Sequence, residues 1–452
     1  MIFLTIFNNF YPFFMNFYEF YRQAGGVNTV ISTKAFNSVQ TWSENYALLG
    51  PYNPSSAAIE FEPLLPPPHS EEVIRSLSST HGITVHYGRW LVKGYPRVYL
   101  FELNSPGINS MKVAGWRRDL QGSLGNEYDS EANNAINFGF QVAHFFKAFY
   151  ERFRDETYIL GHFHDWLGSV GLIVLQRWGI KIPTVYTAHE TLLGRRMCSD
   201  GTNAAGVMAD PMFSASREAE RRQIANRHWI EVNSAKYATI FTTVSDVLAK
   251  EAEVILGRHP DVITPNGLLT EKYSAVHEFQ NLHKKYNNVI GEFCRGHFFG
   301  DYDDIDLENT LFFFTSSGRR AGYKDKGIDL MIDALAELNE KLKKDGSKLT
   351  VVAFIIMPGN TTSYNVESVK GQSDRRTIKE TCETVAKSIT DKLFEEILRG
   401  SLPSLDSLVT QEDLVLIKKR LQLVVQTSRL PPVVTHNLAN ASEDGKYKMK
   451  LE

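Results

Sequence analysis

The chain reads as an α/β protein, a parallel sheet with helices on both faces. Short apolar, β-branched runs alternate with longer stretches at helical spacing, the pattern of βαβ units. Histidine, arginine and lysine side chains recur just past the ends of those runs. That is where open α/β sheets bind their ligands. A turn signal near the middle then divides the pattern into two such units.

Residues 1–18 carry no charged side chain and many aromatics. A secretory signal has a basic beginning and a small-residue cleavage site, and neither stands here. A membrane span needs about 20 predominantly apolar residues, and Asn8, Asn9, Pro12 and Asn16 interrupt this run. The segment reads as a leader followed by a first strand, with targeting as the alternative. QAGGVNTV next puts Gly25 and Gly26 just before a helix.

Ile83–Tyr87, Val98–Leu103, Tyr158–Leu160, Thr184–Thr187 and Thr239–Thr243 predict strands. Asn133–Phe153, Trp166–Trp178 and Ala215–Tyr237 predict helices, and Glu62–His69 predicts a proline-rich loop. In VITPNGLL, Pro265 and Asn266-Gly267 mark a turn, dividing residues 1–264 from 265–452. A second α/β unit follows: strand Thr310–Thr315, helix Gly327–Lys344, strand Leu349–Met357.

Residues 375–426 differ. Ile378, Cys382, Val385, Ile389, Leu393 and Ile397 form one helical face. Thr410 and Asp413 resemble a capping box that opens a second helix. A helical hairpin inserted in an α/β unit either packs on that unit or offers a surface to another protein.

Hydrophobic content of 43% and charged content of 22% are those of an ordinary globular protein. A net charge of −3 gives no footprint for nucleic acid or an anionic membrane. The three cysteines (Cys198, Cys294 and Cys382) are far apart and form no CxxC pair. They fit a reducing, cytoplasmic setting.

The strand ends carry the chemistry. His162, His164 and Asp165 follow one predicted strand; His189 and Arg195 follow the next. An imidazole and a fixed cation at such an edge suit an anionic or sugar substrate. His-x-His can chelate a metal, but one acid alone follows and no further ligand stands downstream, so a structural role outranks that reading. There is no GxGxxG fingerprint and no phosphate-binding GxxxxGK loop. Glycines before a helix still admit a phosphate to its N–H groups. Arg319, Arg320 and Lys326, beside a glycine at a strand-to-helix turn, suit a diphosphate.

AGGVNTVISTKA, NYALLGPY, YDSEANNAINFGF, HFHDWLGSVG, HETLLGRR, DVITPNGL, DKGIDLMIDALAELN and PPVVTHNL together resemble the eukaryotic glycogen synthases, in family order from about residue 24 to 438. The resemblance implies a GT-B architecture of two Rossmann-like domains, the second incomplete here and carrying the helical insertion. It implies retaining transfer of glucose from UDP-glucose to the 4-hydroxyl at a non-reducing end of glycogen, with no metal or other cofactor. By position, His189 corresponds to the active-site histidine beside the donor glucose, and Arg195 to an arginine near the donor phosphate. Lys326 corresponds to a catalytic lysine, with the matching arginine open between Arg319 and Arg320. Gly25, Gly26, His164 and Asn266 fall among the substrate-binding positions. Glycogenin and further copies of the chain, through the insertion, are the implied partners; neither nucleic acid nor membrane is.

The departures are specific. Gln23 stands where the family has a cation, and Arg320-Ala321 stands where it has Tyr-Glu after Gly-Arg. Glu190 replaces a small residue beside His189. There it either raises the imidazole's pKa by attraction or competes for the arginine. The family's Glu-Pro-Trp-Gly segment, with its catalytic carboxylate, and its arginine-rich glucose 6-phosphate helix are absent from these 452 residues. The expectation is a truncated chain with little transferase activity. Its alternative is an inactive homologue that binds glucan or a full-length synthase.

Overall fold

The computed structural model describes residues 13–16, 26–120, 129–270, 279–299, 309–316, 327–356, 361–426 and 434–438. The chain divides into two compact units, Met1–Tyr273 and Ser274–Glu452. The boundary read from the turn at Pro265 lies a few residues earlier. Among the described residues, no helix is long and apolar enough to cross a membrane.

The first unit is built on a nine-stranded sheet. Its strands are β1 (Phe13–Asn16), β2 (Tyr46–Pro51), β3 (Phe61–Pro63), β4 (Val85–Trp90), β5 (Arg97–Phe101), β6 (Leu160–His164), β7 (Thr184–Ala188), β8 (Ile240–Thr243) and β9 (Val262–Ile263). They lie in the order β3-β4-β5-β2-β1-β6-β7-β8-β9. Every pairing from β5 to β9 is parallel, and β4 alone runs against its neighbours. The sheet is therefore mixed at one edge rather than wholly parallel. Pro63 lies in the edge strand β3, within the segment read as a loop; an edge tolerates its missing N–H.

Strand periodicity gives the sheet two buried faces. Leu48, Val98 and Leu100 pack with Val27 and Ile31 of helix Gly26–Trp42. Ala47, Leu49, Tyr99 and Phe101 face the other way, into a larger core with Phe138, Phe145, Phe146 and Phe149 of helix Ser130–Phe153. Each buried phenylalanine contributes about 1.5–3 kcal/mol. Helix Asp165–Arg177 packs on helix Ser130–Phe153 at two glycines. A Cβ on Gly139 would lie 2.5 Å from Cβ of Val170 and 2.8 Å from the Gly171 nitrogen.

Further sequence expectations differ from the structure: helix Pro68–His81 begins inside the segment read as a loop. The predicted strand Tyr158–Leu160 runs instead through Leu160–His164, so both histidines lie inside it. Side-chain hydrogen bonds allow their burial, whereas Tyr158 is 74% exposed. The predicted helix Ala215–Tyr237 is two helices, Ala215–Arg221 and Ala225–Tyr237. Gln223 breaks it with a left-handed φ of 58°.

In the second unit, β10 (Thr310–Ser316) and β11 (Thr350–Ile356) pair in parallel across helix Ile328–Lys344. A separate antiparallel pair joins β12 (Thr361–Tyr364) to β13 (His436–Leu438). The hairpin begins earlier than its periodicity implied, as one 33-residue helix, Val366–Leu398. That helix packs on helix Phe279–His297 through an Arg375–Glu292 ion pair and a 2.9 Å bond between Ser368 and His297. The capping box forms: Thr410 N donates to Asp413 at 2.9 Å, and Asp413 N donates to the Thr410 hydroxyl at 3.1 Å.

Helix propensity alone makes Gly139→Ala stabilising by about 1 kcal/mol. The close approach to Val170 and Gly171 reverses the sign, giving a loss of about 1–3 kcal/mol. Urea unfolding measures it, and a midpoint at or above that of the parent would refute the close contact.

Candidate functional site

The strand order turns back at β1, with β2 and β5 on one side and β6 to β9 on the other. Such a switch point opens a crevice at the carboxyl ends of the strands. Here the strands meeting at it end in Asn16 and His164.

Alternation along β6 puts His162 and His164 on one face. Parallel register then sets His164 opposite Thr187, and Thr187 opposite Thr242. His162 Nε2 lies 2.7 Å from the Thr187 hydroxyl, which lies 2.6 Å from that of Thr242. The His162 and His164 rings stack at 4.2 Å. Beyond the end of β7, His189 meets the edge of His164, its Nε2 at 2.9 Å from His164 Nδ1 and the ring centroids 5.2 Å apart. The backbone N–H of His189 donates to Asp165 Oδ1 at 2.8 Å. Asp165 itself holds a left-handed φ of 50° at the start of its helix, a strain typical of functional sites.

Burial is the main reason the three imidazoles resist protonation. It pushes His162 and His164 well below the ordinary histidine value and brings His189 down to about 4. The Lys34 ammonium, on helix Gly26–Trp42, repels a proton from all three. Glu190 does not raise His189 as one sequence alternative had it; burial and Lys34 outweigh any attraction. The other alternative holds: Glu190 forms an ion pair with Arg195.

Arg195 sits on the short helix Leu192–Ser199. Thr191 caps that helix, its hydroxyl accepting from Gly194 N at 3.1 Å while donating to Glu251. The Glu251 carboxylate also lies against Gly194, so a Cβ there would have to displace it. Beneath the helix, Glu231 is 1% exposed and accepts the Leu192 N–H at 3.1 Å. Burial drives its pKa well above the carboxylate range, and Asp165, Glu190 and Glu251 add to the rise. Arg195 is thus carried on a turn anchored from below.

Of the residues picked from sequence, the structure brings His164 and His189 into contact at adjoining strand ends, and carries Arg195 on the helix that follows, paired with Glu190. Gly26 opens its helix with nothing within 4 Å of a Cβ position, so no neighbour dictates a glycine there. Asn266 is exposed in the segment after β9. Gly25, Arg319, Arg320 and Lys326 lie outside the described residues, as does Gln23. Sequence reading passed over Lys34, Thr187, Thr242, Glu231 and Glu251. For the threonines a signal existed: both sit near the ends of neighbouring strands, where parallel register aligns them with His164.

A family profile described as glycogen synthase matches residues 17–449. Glycogen (starch) synthase of Dictyostelium discoideum is 46% identical over 427 residues, 94% of this chain and 48% of that protein. The human liver glycogen (starch) synthase is 39% identical over 430 residues, covering 94% and 60%. That of Neurospora crassa is 40% identical over 433 residues, again 94% and 60%. The chain thus spans about half to three-fifths of the length of these relatives. Among solved structures, the catalytic domain of starch synthase IV from Arabidopsis thaliana, bound to ADP and acarbose, matches at 10% identity and a TM-score of 0.40 over 80% of this chain and 76% of that one.

The buried histidines tie stability to pH. With folded pKa values near 3 for His144 and near 4 for His189 and His228, and lower than usual for His162 and His164, each is neutral when folded. The unfolded chain binds these protons below about 6.5. The stability they contribute is complete above that pH and falls away towards pH 4. Glu231 acts oppositely, but it is one group against five. The urea midpoint should drop between pH 7 and pH 5; a constant or rising midpoint would contradict the burial of these rings.

Proposed function

Because the chain belongs to the glycogen synthase family, we propose that it takes part in transferring glucose from UDP-glucose to a glycogen non-reducing end, with its β6–β7 edge serving the donor. The observation that carries this reading is a neutral His189 just past the end of β7, followed directly along the chain by the helix that carries Arg195. The donor has the same two-part character: an uncharged sugar and a dianionic diphosphate.

Each group suits its half of the donor. An imidazole with a pKa near 4 is uncharged at neutral pH and binds sugar hydroxyls by hydrogen bonds. A cation in its place would oppose the positive charge that gathers on the sugar in a glycosyl-transfer transition state. Arg195 supplies a fixed positive charge for the departing UDP, whose negative charge grows as the glycosidic bond breaks. Lys326 and one of Arg319 and Arg320 complete the phosphate-binding set in this proposal, as the family resemblance implies. No metal or other cofactor is required. Glycogen is the acceptor, and glycogenin and further copies of the chain remain the proposed partners.

Titration with UDP-glucose, followed by incubation with the radiolabelled donor and glycogen, tests the reading. Saturable binding weakened by His189→Ala supports it, and absence of UDP-glucose binding sinks it. Transfer is a separate readout: turnover like that of a complete synthase would overturn the expectation of weak activity drawn from sequence. Binding of glycogen alone would favour the non-catalytic alternative.

The Glu190–Arg195 pair makes a sharper prediction. A part-exposed ion pair is worth up to about 1 kcal/mol, so Glu190→Ala should tighten UDP binding about two- to fivefold. Arg195→Ala should weaken it about tenfold or more. Calorimetric titration with UDP measures both. Weaker binding by Glu190→Ala would show that the carboxylate helps the site rather than competing for it.

A further inference from the structure

We propose that His164 is a positioning residue that fixes the tautomer of His189, leaving His189 protonated on Nδ1 and bare on Nε2. The inference deepens the donor-site reading, on which its functional meaning rests, although the tautomer itself exists with or without catalysis.

The two imidazoles share two protons, and the surroundings limit where each can sit. His164 is 3% exposed, and its Nε2 has no hydrogen-bond partner among the described residues. Its Nδ1 faces His189 Nε2 at 2.9 Å. That contact holds one proton, because a nitrogen must accept for the other to donate. If His189 donated from Nε2, His164 Nδ1 would have to be bare, and the His164 proton would move to Nε2. There it would be a buried N–H with no acceptor among the described residues, a rare arrangement in folded proteins. If His164 donates from Nδ1 instead, no donor is stranded and only a lone pair at His164 Nε2 goes unused. His189 Nε2 then accepts, and the proton of His189 must sit on Nδ1.

Two further features hold the arrangement. His162 stacks on His164 at 4.2 Å and is itself held at 2.7 Å from the Thr187 hydroxyl, so the His164 ring is fixed on one face while its edge meets His189. Lys34 and burial keep all three rings uncharged, which removes the doubly protonated alternative near neutral pH. The consequence for a ligand is definite. With Nε2 occupied by His164, the nitrogen that His189 has left for a substrate is Nδ1, a hydrogen-bond donor. His189 then contacts an acceptor oxygen and cannot take up a proton there as a base.

Free histidine side chains favour the opposite tautomer, so the state is diagnostic. The full chain, labelled with ¹⁵N-histidine, is examined at pH 7.5 by two-bond ¹H–¹⁵N correlation, and the His189 signals are identified by their loss in His189→Gln. The expected result is a protonated Nδ1 and a bare Nε2, favoured roughly tenfold or more. His164→Leu should return His189 to a mixture dominated by protonated Nε2. His164→Asn, whose amide N–H stands close to the place of Nδ1, should restore the parent pattern. A parent His189 protonated on Nε2 would overturn the proposal, as would an unchanged Nδ1–H in folded His164→Leu. Should His164→Leu not fold, the parent and His164→Asn spectra decide, since a structural role alone predicts no Nδ1 preference in either. None of these signals depends on turnover. Loss of UDP-glucose binding with the tautomer intact would count against the donor reading alone.

Discussion

The site depends on the register of β6 against β7. Phe163 stands opposite Tyr186, and both are sealed in the larger core, while His164 stands opposite Thr187 on the other face. A slip of one residue would turn the aromatic rings out of that core and the imidazoles into it. Apolar burial on one face therefore fixes the polar contacts on the other. His162, Thr187 and Thr242 form a hydrogen-bonded row because Phe163, Tyr186 and Phe241 are anchored behind them. Buried parallel strands are usually apolar on both faces. This pair departs from that rule at the crevice, and again at the start of β7, where buried Thr184 pairs with Thr239.

Much of the fold was legible in the sequence because it rests on periodicity. Apolar runs alternating with helical stretches located most of the strands and the long helices near their observed ends. The failures have local physical causes. Leu160–His164 was cut short because histidines look polar in a list, yet become buriable once each imidazole finds a partner on a neighbouring strand. Ala215–Tyr237 looked continuous because its apolar spacing spans the break at Gln223. The antiparallel course of β4 is set by its short connection to β5, residues 91–96, too short for a parallel crossover, a signal that the strand-helix alternation overshadowed.

The candidate site was half legible. His164, His189 and Arg195 could be picked out because rare chemical types at strand ends stand out, and the family resemblance sharpened their roles. What supports them did not stand out. Thr187 and Thr242 are ordinary strand residues until register aligns them. Glu231 and Glu251 lie far along the chain from the helix they anchor, and Lys34 becomes relevant only when its helix packs near the histidines. The tautomer of His189 is a property of a pair of rings and has no representation in a one-dimensional string.

Glu231 and the buried histidines also set the proton balance of folding. Between about pH 5 and 6 the unfolded chain holds protons on imidazoles that the folded unit expels, whereas Glu231 keeps a proton that the unfolded carboxylate would give up. The two flows run in opposite directions and only partly cancel, so unfolding takes protons from solution. The heat absorbed on melting in that range must therefore include the ionisation heat of the buffer, and it will differ between acetate and an amine buffer at the same pH and the same melting temperature.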